Sequence, residues 1–144
     1  MTVAAILKHK GYDVTTVSPT APIAEVARVL SAYRIGAVPV VDRADQLLGI
    51  LSERDIVRSL AANGAATLQM TAGQLMTRVL YTVTQDTTVI EAMRIMTEGR
   101  VRHLPVMRGD VLIGMVSIGD VVKARIMQQT QEVESLRAYV AGAA

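Results

Sequence analysis

Two hydrophobic rhythms alternate along this chain, and their order occurs twice. Val3, Ile6 and Leu7 fall at helical spacing, and Lys8, Lys10 and Gly11 end that pattern. Residues 13–17 read as a brief strand, and a Ser18-Pro19-Thr20-Ala21-Pro22 turn leaves Pro22 placed to open a helix. Ile23, Val26, Ala27 and Leu30 then share one helical face. Residues 36–42 and 47–51 form two short apolar runs about the polar turn 43–46, which predicts a pair of strands. A helix over 55–62 follows, stopped by Asn63-Gly64, and 65–71 reads as a linker.

Beyond the linker the same order returns. Residues 80–83 read as a strand, and Thr88 with Glu91 fits a capping box before the face Val89, Ala92, Met93 and Met96. His103-Leu104-Pro105-Val106 repeats Ala37-Val38-Pro39-Val40, residues 112–116 repeat 47–51, and Asp120 opens the matching helix. Glu25 and Pro39 recur 66 positions later as Glu91 and Pro105, whereas Gly49, Ser52 and Asp55 recur after 65, one residue being lost from the hairpin turn. The chain is thus a duplicated β-α-β-β-α unit, predicted as an α+β fold of two repeats, 1–70 and 71–126, with a terminal helix over 127–144. A unit this short cannot bury its own sheet face, so the two are expected to pack together. Pro39 within the strand 36–42 removes a ladder donor and suggests a strand edge or end. Ile126, Val133 and Val140 are seven apart with Leu136 between, predicting a helix of about two heptads that packs on the body or on a sister subunit.

The chemistry gathers at one stretch, Gly49-Ile50-Leu51-Ser52-Glu53-Arg54-Asp55, and at its copy, Gly114-Met115-Val116-Ser117-Ile118-Gly119-Asp120. Each runs from a strand into a helix start, where unpaired N–H groups and the dipole favour an anion. A single Ser-x-x-Asp reads as a capping box. Two copies in matching settings point instead to a pair of sites, in which a phosphate rests at the helix start and an Asp accepts from sugar hydroxyls.

Composition narrows the function classes. Of 144 residues, 51% are hydrophobic, enough for a real core, and a net charge of +2 without a basic run gives no reason to expect nucleic-acid binding. With no Phe or Trp and four Tyr, the stacking platforms of single-strand binders are missing. The absence of Cys excludes disulfides and thiolate chemistry and suits a reducing compartment. No apolar run approaches a membrane span and 3–7 is too short for a signal peptide, so a cytoplasmic protein without a membrane partner is expected. His9 and His103 are the only histidines, with no Ser-His-Asp order, metal-ligand cluster or Gly-rich phosphate loop, so an enzyme is not expected.

Taken together these residues resemble a tandem pair of CBS domains, the arrangement often called a Bateman module, of the stand-alone bacterial type. The resemblance covers about residues 1–126 and rests on Ile35-Gly36-Ala37-Val38-Pro39-Val40-Val41-Asp42, on 49–55, and on the second copies at 102–106 and 114–120. It implies two repeats packed sheet to sheet by a pseudo-twofold axis, leaving two clefts, and a homodimer. It also implies an adenine nucleotide (AMP, ATP or NAD) or S-adenosylmethionine as ligand, with Asp55 and Asp120 on the ribose hydroxyls and Ser52 and Ser117 aiding the phosphate. Charge-assisted bonds of this kind contribute about 1.5 to 3 kcal/mol each. The family pattern adds Thr77, Val79, Tyr81, Val101, Arg102, His103, Leu104 and Pro105 to the Asp55 cleft. To the Asp120 cleft it adds Lys10, Gly11, Thr15, Ile35, Gly36, Ala37, Val38 and Pro39. Arg102 and His103 are expected on phosphates, with Arg54 and Arg100 as further candidates, while Gly36, Ala37 and Gly119 leave Asp120 short of positive charge. The resulting expectation is a sensor that signals by a change of shape to its own dimer or to an unidentified protein target. The alternative is a scaffold that binds nothing in its clefts and oligomerises through its terminal helix.

Overall fold

A computed structural model describes residues 1–79 and 81–143. In order the elements are α1 (Val3–Lys10), α2 (Ile23–Tyr33), β1 (Ala37–Val41), β2 (Leu47–Ser52), α3 (Glu53–Asn63), a 3-10 turn (Gly64–Gln69), α4 (Ala72–Leu75), α5 (Val89–Gly99), β3 (His103–Arg108), β4 (Val111–Ser117) and α6 (Ile118–Ala143). The strands form two separate two-stranded sheets, β1-β2 and β3-β4. This is the α+β class that the repeated strand and helix periods predict.

Two compact units result. Unit 1 is Met1–Tyr12 with Tyr81–Met107 and Gly114–Ala144, and unit 2 is Asp13–Leu80 with Arg108–Ile113. Helix α1, which opens the first repeat in sequence, is thereby built into the unit that holds most of the second. Its backbone is tied there by Val3 N to Thr87 O at 2.8 Å and Ala4 N to Gln85 O at 3.0 Å.

In unit 2, Val17, Ile23, Val26, Leu30, Val38, Val40, Leu51, Ile56 and Ala72 form one buried cluster. The helical and strand periods of the sequence converge on it: Ile23, Val26 and Leu30 from one face of α2, Val38 and Val40 from one face of β1. β1 and β2 are antiparallel, with Ala37 opposite Ser52 and Pro39 opposite Ile50. Pro39 is not at a bare edge. Its carbonyl accepts from Val17 N at 3.0 Å, so its missing donor also faces that side, where only a single-residue bridge forms and no ladder bond is lost.

The strand predicted over 13–17 reduces to that bridge, Val17 against Val40. Ser18 and Pro19 turn the chain away before a second rung can form. In unit 1 the strand predicted over 80–83 likewise reduces to Val83 against Val106, and Leu80 lies outside the described residues. Residues 65–71, expected as a linker, instead hold most of the 3-10 turn and Thr71, the N-cap of α4. The terminal helix is not separate: α6 runs unbroken for 26 residues from Ile118. Among the described residues no helix is long and apolar enough to cross a membrane.

Candidate functional site

In unit 2 the motif turns from β2 into α3 through a complete capping box. Asp55 N donates to Ser52 Oγ at 3.3 Å, and Ser52 N donates to Asp55 Oδ2 at 2.9 Å. The Ser52 hydroxyl also donates to Oδ2, at 3.0 Å. The other oxygen, Oδ1, accepts from Thr77 Oγ1 at 3.2 Å. Thr77 is held in reach by a pair of backbone bonds with Ile50, both 2.9 Å. Gly49 permits that approach, since a Cβ on it would stand 2.7 Å from the Thr77 carbonyl oxygen. Gly36 closes the helix start from the other side, its carbonyl accepting from Glu53 N at 2.9 Å. The first-turn donors of α3 are thus shared between a side chain and a neighbouring backbone.

Unit 1 repeats the construction with one change. Ser117 N donates to Asp120 Oδ2 at 2.8 Å, Asp120 N donates to Ser117 Oγ at 3.2 Å, and Ile118 N donates to the Arg102 carbonyl at 2.8 Å. The change is a cation: Lys10, at the end of α1, donates to Asp120 Oδ2 at 2.7 Å and to the Met115 carbonyl at 2.9 Å. Gly114 lies under α1, where a Cβ would stand 2.8 Å from Leu7 Cδ2. Partial burial pushes the Asp120 carboxyl up. The hydrogen bond and charge of Lys10, with the bonds from Ser117, outweigh this and hold it below its ordinary value of 3.8. Comparing the two copies in sequence leaves Asp120 short of positive charge; the fold supplies that charge from Lys10.

The remaining expected residues divide between the units. Thr15, Ile35, Gly36, Ala37, Val38, Pro39, Arg54, Thr77 and Val79 lie in unit 2 with Asp55. Lys10, Gly11, Tyr81, Val101, Arg102, His103, Leu104 and Pro105 lie in unit 1 with Asp120. Val38 and Leu104 are completely buried, which commits their side chains to the core. Tyr81 is 41% exposed and lays its ring edge over Gly99, whose Cβ would come within 2.8 Å of Tyr81 Cε2. Arg54 is exposed in the first turn of α3, and Arg100 takes a left-handed conformation (φ 52°) as the C-cap of α5, matching Arg34 at φ 53° after α2. The Met115 carbonyl is a partner that the sequence did not suggest. It lies one residue past Gly114 on a strand whose apolar pattern advertises no polar role.

Chemically, capping and ligand binding are compatible at these junctions. A carboxylate offers about four lone-pair sites, and the Asp55 box uses Oδ2 while, among the described residues, Oδ1 meets only a hydroxyl that can rotate away. A cis-diol can replace one hydroxyl donor with two.

The fold and the doubled motif define a two-repeat α+β protein with a capped carboxylate at each strand-to-helix junction. The chain belongs to the CBS domain family, whose model matches residues 3–62 and 72–126. Among curated relatives, the mitochondrial CBS domain-containing protein CBSX3 of Arabidopsis thaliana is 35% identical over 98% of this chain and 72% of its own length. A crystal structure of a CBS-domain containing protein from Agrobacterium tumefaciens is 46% identical, with a TM-score of 0.83 over 86% of this chain and 92% of that one. The CBS domain pair of protein MJ0100, solved in complex with 5′-methylthioadenosine and S-adenosyl-L-methionine, is 26% identical with a TM-score of 0.79, covering 89% of this chain and 98% of that one.

Proposed function

We propose that this chain is a non-catalytic regulatory module that binds an adenine nucleotide or a related adenosyl compound, such as AMP, ATP, NAD or S-adenosylmethionine, through Asp55 and Asp120. The observation that carries the reading is the doubled Ser-x-x-Asp junction, in which the Asp55 cap leaves Oδ1 to a displaceable hydroxyl. Membership of the CBS family and the adenosyl compounds bound by the MJ0100 pair support it. Ser52 and Ser117 hold the carboxylates oriented towards ribose hydroxyls, and Lys10 stands ready at Asp120 to exchange its carboxylate contact for a ligand phosphate. A ligand changes the shape of such a module only if it binds one arrangement more tightly than another. The signal passes to the module's own dimer or to a protein target in a reducing compartment, the cytoplasm.

The test is thermal shift and calorimetry of the purified chain with AMP, ADP, ATP, NAD, NADH and S-adenosylmethionine, repeated on Asp55→Ala and Asp120→Ala. A ligand at about a hundred times its Kd adds about 2.7 kcal/mol, several degrees in Tm. One adenosyl compound stabilising the chain, with one Asp variant cancelling the effect, supports the proposal. A folded, ligand-free protein that responds to none of them overturns it.

A further inference from the structure

Helix α6 divides into two stretches with different surroundings. In the first, Val121 and Ala124 are buried. From residue 129 to 142 every position is exposed, so among the described residues this stretch buries none of its side chains within its own chain. A helical segment of about that length is marginal in water without a partner. Yet it carries a regular apolar seam. Taking Ile126 as heptad position a places Val122 at d, Val133 at a, Leu136 at d and Val140 at a, and these five are 43%, 58%, 49%, 64% and 60% exposed for Val122, Ile126, Val133, Leu136 and Val140. Gln129 is the one polar residue at d between them.

The flanking charges state which partner fits. In this register Glu132 occupies g and Arg137 the following e. In a parallel pair of identical helices, g of one strand faces the next e of the other, so Glu132 meets Arg137 of the second copy, and symmetry makes the contact twice. β-branched residues at a with Leu at d favour two parallel strands. We infer that the exposed part of α6 pairs with the same helix of a second copy of this chain as a short parallel coiled coil, sealed by Val133, Leu136 and Val140 and oriented by Glu132 and Arg137. This goes beyond ligand binding and does not depend on it.

The chain has no cysteine, so a single introduced thiol reports the pairing cleanly. Val140→Cys lies in the proposed seam and Gln131→Cys faces away from it at f. On mild oxidation of the full-length protein, Val140→Cys is expected to become a disulfide-linked dimer and Gln131→Cys to stay monomeric on a non-reducing gel. In the Val140→Cys background, Glu132→Lys should slow cross-linking, and Glu132→Lys with Arg137→Glu should restore it. Both thiols cross-linking alike, neither doing so while the protein stays folded, or no effect of the charge reversal would overturn the inference. An antiparallel pairing or a different occupant of the seam shows as an uncross-linked Val140→Cys.

Discussion

Lys10 and Asp120 stand 110 positions apart in the chain and meet at 2.7 Å, joining the end of the first helix to the start of the last. The contact fixes α1 over the junction that the second motif builds, and it marks the main difference between the two copies: a neutral hydroxyl reaches Asp55, a cation reaches Asp120.

That ion pair gives a pH signature. Asp120 titrates below 3.8 in the fold, so its contribution to stability is complete above that value and is lost as pH falls through the lower folded value. Because the Lys10 side chain is 42% exposed, the pair should contribute less than about 1 kcal/mol. Lys10→Met should therefore lower Tm slightly at neutral pH, and the difference from the parent should shrink in acid well below 3.8 to what the Lys10 bond to the Met115 carbonyl contributes. Thermal melts against pH check this; a gap that widened in acid would contradict it.

The two motif glycines should not tolerate alanine equally. At Gly49 the new Cβ meets the Thr77 carbonyl at 2.7 Å, a backbone atom held by paired hydrogen bonds. At Gly114 it meets Leu7 Cδ2, the far end of a flexible side chain, at 2.8 Å. Overpacking costs about 1 to 3 kcal/mol, so Gly49→Ala should fall at the upper end and Gly114→Ala at the lower. Equilibrium unfolding in urea ranks them. Trimming the obstacle with Leu7→Val should recover part of the Gly114→Ala loss only.

The elements that the sequence made legible are those whose apolar period is long enough to count: α2 and α5 with their buried faces, the four strands, and the doubled Ser-x-x-Asp start. Residues 13–17 and 81–83 carry the composition of strands but supply a single bridge each among the described residues, because turn residues, not apolar spacing, decide how long pairing lasts. The 3-10 turn has no period to read. The partners of the two carboxylates were legible only in part. Family resemblance suggested Lys10 and Thr77, but one cation among 15 cannot be singled out by pattern, and contacts over such separations are set by the fold. Continuity of α6 was within reach, since no Pro or Gly interrupts residues 120–141; the boundary expected at 127 marks where the repeat ends, not where the helix does.

Removing either motif carboxylate should cost stability before any ligand is added. Asp55→Ala and Asp120→Ala each take away half of a capping box, and losses at helix starts run to about 0.5 to 2 kcal/mol. Asp120→Ala also takes the carboxylate from Lys10, which keeps its bond to the Met115 carbonyl. Ligand-induced shifts must therefore be read from each variant's own ligand-free Tm. The apo melts should show both variants folded and lowered by a few degrees; an unchanged apo Tm would mean that the caps contribute nothing.

Ser59 and Thr67 offer a test of how unit 2 holds its polar interior. Ser59 is 6% exposed and Thr67 0%, and their hydroxyl oxygens lie 2.8 Å apart between α3 and the 3-10 turn. Ser59 has other partners, accepting from Asn63 Nδ2 at 3.2 Å and donating to Met70 Sδ at 3.6 Å. Ser59→Ala thus leaves the Thr67 hydroxyl buried without its partner and leaves Asn63 Nδ2 its longer contact with Met70 Sδ at 3.9 Å, for a cost of about 1 to 3 kcal/mol. Thr67→Val keeps the shape and leaves Ser59 its remaining contacts, so it should cost less. Once Thr67 is Val, removing the Ser59 hydroxyl no longer orphans a buried group, and the double variant should be more stable than the sum of the single losses predicts. Urea unfolding of the four proteins measures that coupling, and strictly additive losses would show that the hydroxyl pair is not an energetic unit.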